Sequence, residues 1–184
     1  MGYLLDMIGS IMLIGVLIIT VANVNVNMNQ ALYDSTFELN AQRNLIELAR
    51  SIEYDFLKIG YRTAKPAISL ADSDRITFKA DLTNTGVVDS VRYFLSSTTA
   101  AGVASTPNPR DRVLYRLKNS EAQKGASLGL VQFHLAYYDS NGVATSNLSL
   151  IRSIKVQLTV ESPYPVDSTY AGAYWEKLIY PRNL

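Results

Sequence analysis

The spacing of apolar positions changes twice along the chain. Residues 7–22 (MIGSIMLIGVLIITVA) are almost all apolar, and with Tyr3, Leu4 and Leu5 the run is broken only by Asp6. At about 1.5 Å per residue, a helical run of about 20 residues matches the hydrocarbon thickness of a bilayer. A helix apolar on every side needs a membrane, an assembly or a large protein to cover it. Val24, Asn25, Val26, Asn27, Met28 and Asn29 then alternate with period two. No Gly or Pro separates them from the helical patterns on either side, so the segment is expected to continue the helix.

From Phe37 the period is helical. Phe37, Ala41, Leu45, Leu48, Ile52, Phe56 and Ile59 recur every three or four positions and form one stripe. Leu45, Leu48, Ile52, Phe56 and Ile59 are expected to pack this helix on the domain that follows. Arg43 with Glu47, Glu47 with Arg50, Arg50 with Glu53, and Asp55 with Lys58 have the spacing of helix-neighbour ion pairs. Gly60 suits the helix exit.

After Tyr61 the period is two. Ile76, Phe78, Ala80 and Leu82 form one apolar set, and Val91, Tyr93 and Leu95 another. In residues 112–118 the set is Val113, Tyr115 and Leu117, with Arg112, Arg116 and Lys118 on the outer face and Leu114 breaking it. Val131, Phe133, Leu135 and Tyr137 follow, then Ile154, Val156, Leu158 and Val160. These read as half-buried antiparallel strands with one wet face. Asn84-Thr85-Gly86 and Asn141-Gly142 are turn signals. Residues 96–109 and 163–172 read as loops. The expected fold class is α+β: a long N-terminal helix, its apolar half projecting and its amphipathic half packed on an antiparallel sheet. Its divisions are 1–28 for the membrane or filament-core helix, 29–61 for its amphipathic continuation and 62–184 for the β domain.

Composition sharpens this picture. Only 18% of the 184 residues are charged, against roughly 25% in ordinary soluble domains. The deficit is local, since residues 7–33 contain no Asp, Glu, Lys or Arg. No basic residue precedes Arg43, so the basic flank of a cleaved secretory signal is missing. With 17 basic and 16 acidic residues the net charge is +1, which offers no electrostatic grip on nucleic acid. There is no cysteine and a single histidine, so disulfides and Cys/His zinc sites are excluded. No metal ligand set or cofactor site is expected.

The candidate chemistry is sparse. Asp6 places a carboxylate in an apolar run, which costs on the order of 2.5–3.5 kcal/mol at bilayer centre and less near an end. An opposite charge on a neighbouring subunit would offset that cost and fix axial register. Gly9, Ser10 and Gly15 permit close helix approach. Residues 81–89 (DLTNTGVVD) have the outline of a calcium loop, but Thr83 and Thr85 stand where carboxylate or amide ligands are needed, so a hairpin turn is expected. His134 falls on the polar face of its strand, with no nucleophile motif to serve. Tyr170, Tyr174, Trp175 and Tyr180 cluster near the end, as a ligand platform or as strand packing.

The order of apolar helix, amphipathic helix and antiparallel sheet resembles the type IV pilin family. Residues 55–62 (DFLKIGYR) look like the helix-ending Asp-x-x-x-x-Gly-Tyr-Arg of W-type minor pilins and J-type minor pseudopilins of type II secretion. Residues 75–95, Leu114-Tyr115-Arg116, residues 131–142, residues 151–160 and the ending YPRNL resemble that group in the same order. The resemblance implies leader cleavage at Gly2-Tyr3, although the leader would be only Met1-Gly2. It also implies an assembly carboxylate, which Asp6 supplies in place of the usual Glu, and it is fourth rather than fifth after that cut. Gly9 and Gly15 join Asp6 as assembly positions. The implied partners are other pilin-like subunits and, before assembly, the bacterial inner membrane, with the β domain periplasmic or extracellular and no catalytic residue. The alternative is a single-pass anchored surface module, an adhesin or carbohydrate binder, that never polymerises.

Overall fold

The computed structural model describes residues 2–100, 103, 106–119, 121, 124–126, 129–166 and 168–184. Met1, half of the expected leader, lies outside them, as do residues 101, 102, 104 and 105 of the expected 96–109 loop and residue 167 of the 163–172 loop.

The architecture is α+β. One helix, α1 (Gly2–Leu57), runs through the Val/Asn alternation without a break. The chain divides into two compact units, Met1–Phe37 and Glu38–Leu184. In the second unit α1 buries Ala41, Leu45, Leu48, Ala49, Ile52, Asp55 and Phe56. This is the three-and-four spacing of a single buried face. The helix ends in two tightened bonds, Lys58 N–H to Asp55 O (3.1 Å) and Ile59 N–H to Phe56 O (3.2 Å). Gly60 follows at φ +81°, where a Cβ would lie 2.7 Å from the Asn183 carbonyl oxygen. Its N–H bonds across to Lys79 O at 3.0 Å rather than back to the helix.

Two antiparallel sheets follow. The first has strands β1 (Ile68–Ala71), β2 (Arg75–Ala80), β3 (Asp89–Leu95), β4 (Leu114–Lys118) and β5 (Lys124–Ala126), in that spatial order. The second has β6 (Leu130–Tyr138), β7 (Ser153–Val166) and β8 (Thr169–Ile179), also in order. One core cluster joins the α1 stripe to the inner faces of both sheets. Phe56 sits edge-on to Phe78 and Tyr93, with ring centroids 5.8 and 5.7 Å away. Burying a side chain of this size contributes about 1.5–3 kcal/mol. Backbone bonds from Leu135 N–H to Ser73 O and from Arg112 N–H to Leu130 O, both 2.8 Å, tie the β6 edge to the first sheet's loops.

Four expectations are corrected. In β4 the faces are reversed: Arg116 pairs with Tyr93 across the sheet and Leu114 with Leu95. Leu114, Arg116 and Lys118 therefore face inward, because Asp55 and Asp89 wait there as counter-charges. In β6 the register shifts between Leu130 and Gln132, so Leu130 is buried and Val131 only half-buried. Gly129, at φ +75°, makes this shift possible, since a Cβ there would lie 2.2 Å from Glu161 O. Much of 163–172 is strand rather than loop: β7 and β8 continue to the pairs Pro165–Tyr170 and Val166–Thr169. The two prolines fall where the ladder is irregular, which is where strands tolerate them. Lastly, Asp55 and Glu53 pair not with helix neighbours but with Arg116 and Lys177 of the sheets.

Candidate functional site

Two regions could carry function: the exposed apolar half of α1, and the joint that holds the other half to the sheets. Tyr3, Leu4, Leu5, Met7 and Ile8 begin a series of exposed large apolar side chains that includes Val24, Val26, Met28, Leu32 and Tyr33. α1 contains a stretch long and apolar enough to cross a membrane, with none of that stretch buried. Two of its hydroxyls bond within the helix. Ser10 donates to Asp6 O (2.8 Å) and Thr20 to Val16 O (2.8 Å), a turn back along the helix. Such self-bonding is what a segment in an apolar medium requires.

The remaining positions singled out at this end are exposed. Gly2, Tyr3, Asp6 and Gly9 are on the surface and Gly15 is half-exposed. A Cβ at Gly2, Gly9 or Gly15 would meet nothing within 4 Å. The space beside these glycines is open to an approaching helix. Among the described residues the Asp6 carboxylate has no partner.

Leu45, Leu48, Ile52, Phe56 and Ile59 all lie in the core cluster. Beside them is a polar joint that sequence periodicity hid. Asp55, buried in the last turn of α1, accepts from Tyr93 Oη at 2.6 Å and from Arg116 Nε at 2.6 Å through the same Oδ2. Arg116 Nε also reaches Tyr93 Oη at 3.1 Å. Burial, then the Asp55 charge, pushes the Tyr93 phenol well above its ordinary range. The hydrogen bond to Asp55 raises the Arg116 guanidinium further, against the opposing effect of burial. Both shifts favour the neutral phenol as donor and the charged guanidinium, so the three groups form a clasp between helix and sheet.

Asp81 opens the turn between β2 and β3. Its buried carboxylate accepts from Thr85 N–H (3.1 Å), Gly86 N–H (2.8 Å) and Arg62 Nη1 (3.3 Å). Burial raises its pKa, but the two backbone bonds and Arg62 outweigh that and hold it below its ordinary value. The residue is a hairpin brace. Among the described residues no group of three or more His, Asp or Glu side chains could hold a metal. His134 is half-buried and stands opposite Gln157 on the wet face of the second sheet.

The terminal aromatic cluster is divided. Trp175 pairs with Leu158, faces inward and packs against the core. Tyr170 lies under the Arg110 guanidinium, 5.1 Å from ring centroid to Cζ. Tyr174 pairs with Thr159 and faces outward, and Tyr180 is exposed just past β8. Adjacent residues on a strand point to opposite faces, so Tyr174 and Trp175 never form one platform. No family model, no curated protein and no solved structure matches this chain.

Proposed function

We propose that the chain is a structural subunit, of the minor kind, of a type IV pilin-like filament or type II secretion pseudopilus. It waits in a bacterial inner membrane and assembles with like subunits through its N-terminal helix, catalysing no reaction. The observation that carries this reading is the length of exposed apolar helix. Large apolar side chains stay exposed from Tyr3 to Tyr33, a span of about 46 Å at about 1.5 Å per residue. The hydrocarbon of a bilayer is about 30 Å thick, and an average tilt of about 20° closes little of the difference. Lipid alone thus leaves one end of this surface in water. Packing against other helices covers it, and Asn25, Asn27 and Asn29 supply groups able to hydrogen-bond between helices.

Asp6 supports the same reading. A partnerless carboxylate near the end of an apolar helix is stable at headgroup depth and needs a counter-charge once it moves into a bundle. The test is to shear surface fractions from cells, image them and sequence the subunit's N-terminus by mass spectrometry. The expected result is this chain within filaments, and Asp6→Ala folded and membrane-inserted yet missing from them. Mutant at normal levels in filaments removes the role of Asp6. Intact anchored protein with no filament at all favours the non-polymerising surface module.

A further inference from the structure

The wet face of the second sheet ends in a cleft of about 330 Å3 between Tyr138 of β6 and Tyr180 beyond β8. That size is at the lower end of small-ligand sites, which are about 300–1,000 Å3. Its floor is Lys155 and Glu176, with Leu178 and the turn around Asp139 completing the wall. The cross-strand register explains why these groups meet. Lys155 stands opposite Leu178, Gln157 opposite Glu176, and Ser153 opposite Tyr138, all on the outer face.

The floor is held in place before any ligand arrives. Lys155 Nζ lies 2.8 Å from Glu176 Oε1. Glu176 Oε2 accepts from Gln157 Nε2 (2.8 Å) and Tyr174 Oη (2.6 Å). Gln157 Nε2 also donates to Tyr174 Oη at 2.9 Å. Lys155 foremost, then Tyr174 and Gln157, hold the Glu176 carboxyl down at about 2. The turn wall is fixed too, since Asp139 Oδ1 accepts from Asn141 N–H (2.8 Å) and Val143 N–H (2.9 Å). Side chains locked by supporting bonds are what a binding site needs and what a solvated face does not.

Capacity is left over. An ammonium has three donors and a carboxylate about four acceptor positions. Lys155 uses one donor on Glu176, and Glu176 uses three acceptor positions on Lys155, Gln157 and Tyr174. Among the described residues the Tyr138 and Tyr180 hydroxyls have no hydrogen-bond partner. The cleft thus offers spare donors and a spare acceptor side by side, flanked by two phenol rings and the exposed Leu178. Its charges are Asp139, Glu176 and Lys155, and the only cation is already matched to Glu176. An anionic ligand meets no free positive charge there.

We propose that this cleft binds a neutral sugar ring, the end or an exposed unit of a surface polysaccharide. A sugar hydroxyl accepts from Lys155 while donating to Glu176, and the C–H face of the ring lies on the exposed Tyr180. The groups the cleft offers are side-chain donors and acceptors on the outer face of the sheet, which suit hydroxyls rather than the backbone ladder a peptide strand would add at an edge. The site is independent of whether the helix polymerises.

The test uses the full chain in phosphatidylcholine nanodiscs, which avoids sugar-headed detergents. Saturation-transfer NMR and calorimetry are run against maltotetraose, cellotetraose, mannotetraose and chitotetraose, with tetragalacturonate as the anionic comparison. The expected result is binding of at least one neutral tetramer, weakened about tenfold or more by Tyr180→Ala and by Lys155→Ala. The Tyr180 side chain is exposed and, among the described residues, makes no hydrogen bond, so its removal leaves the fold intact, which circular dichroism checks. The proposal is overturned if no neutral tetramer binds up to about 10 mM. It is equally overturned if Tyr180→Ala and Lys155→Ala bind as the parent does, or if tetragalacturonate binds more tightly than every neutral sugar.

Discussion

Arg116 reaches across 61 positions of sequence to place its Nε 2.6 Å from Asp55 Oδ2, which joins the last turn of α1 to the first sheet. The Asp55 side chain is almost fully buried and the Arg116 side chain about one-third exposed. Removing either partner strands a charge or a carboxylate in a poorly solvated place. Arg116→Leu or Asp55→Asn is expected to cost about 2–4 kcal/mol, the buried-pair figure discounted for the exposed guanidinium. The double variant should lose less than the sum, with a coupling of at least about 1 kcal/mol in urea denaturation. Additive losses would show that the clasp is packing and not charge.

The clasp also explains what sequence pattern could and could not disclose. Alternation alone puts Val113, Tyr115 and Leu117 inside and Arg116 outside. Partnered charge overrides alternation, and the partner lies on another element far along the chain, where a local window cannot see it. The α1 stripe, β2, β3 and β7 as far as Val160 were legible because they obey one period with apolar inner residues. β8 was not, because Tyr174 and Trp175 are adjacent aromatics, and Glu176 and Lys177 adjacent charges, one of each facing inward. Lys177 faces inward to reach Glu53. β1 and β5 are too short to show a period. The Lys155–Glu176 cleft leaves no local sequence signal because its members are contributed by three strands and a turn.

Glu176 sets an acid limb on stability. Its ordinary value is 4.5 and the fold holds it at about 2. A carboxyl lowered by folding stabilises fully above its unfolded value, and that contribution is lost as pH falls through the folded one. Glu176→Gln should therefore lower Tm above pH 4.5, by an amount kept small by solvent screening, with the difference vanishing as pH falls through about 2. Thermal melts across this window check the sign. An unchanged profile would mean that the network is not formed in solution.

Asp111 works in the opposite direction. It is buried, and among the described residues its Oδ1 has no hydrogen-bond partner. Burial pushes its carboxyl above the ordinary 3.8, a hydrogen bond from Thr106 draws it back, and the Glu161 charge raises it again. The native state therefore keeps a proton that the unfolded chain has released, and stability falls as pH rises through the folded value. Asp111→Asn should raise Tm at neutral pH, with the gain shrinking towards pH 3.8. A lower Tm at neutral pH would show that the ionised carboxylate is needed.

The absence of cysteine makes the helix surface easy to probe. Single Val26→Cys and Met28→Cys variants place a thiol on the exposed helix of the first unit. In cells bearing filaments, mild oxidation should give disulfide-linked pairs at one of these sites, and Asp6→Ala should abolish them. Non-reducing gels read the result. Monomer alone at both positions would place this stretch in lipid or water rather than among helices.

The first buried side chain on α1 is Ala41, and everything before Phe37 belongs to the other unit. Among the described residues, none at positions 3–33 belongs to the core cluster. One uninterrupted helix thus answers to two separate masters. The later stretch is constrained by the architecture of its own domain, and the earlier stretch only by whatever surrounds it. Substitutions can accumulate in either half without correction in the other. A lineage of such chains could change its neighbours while keeping its domain, or its domain while keeping its neighbours.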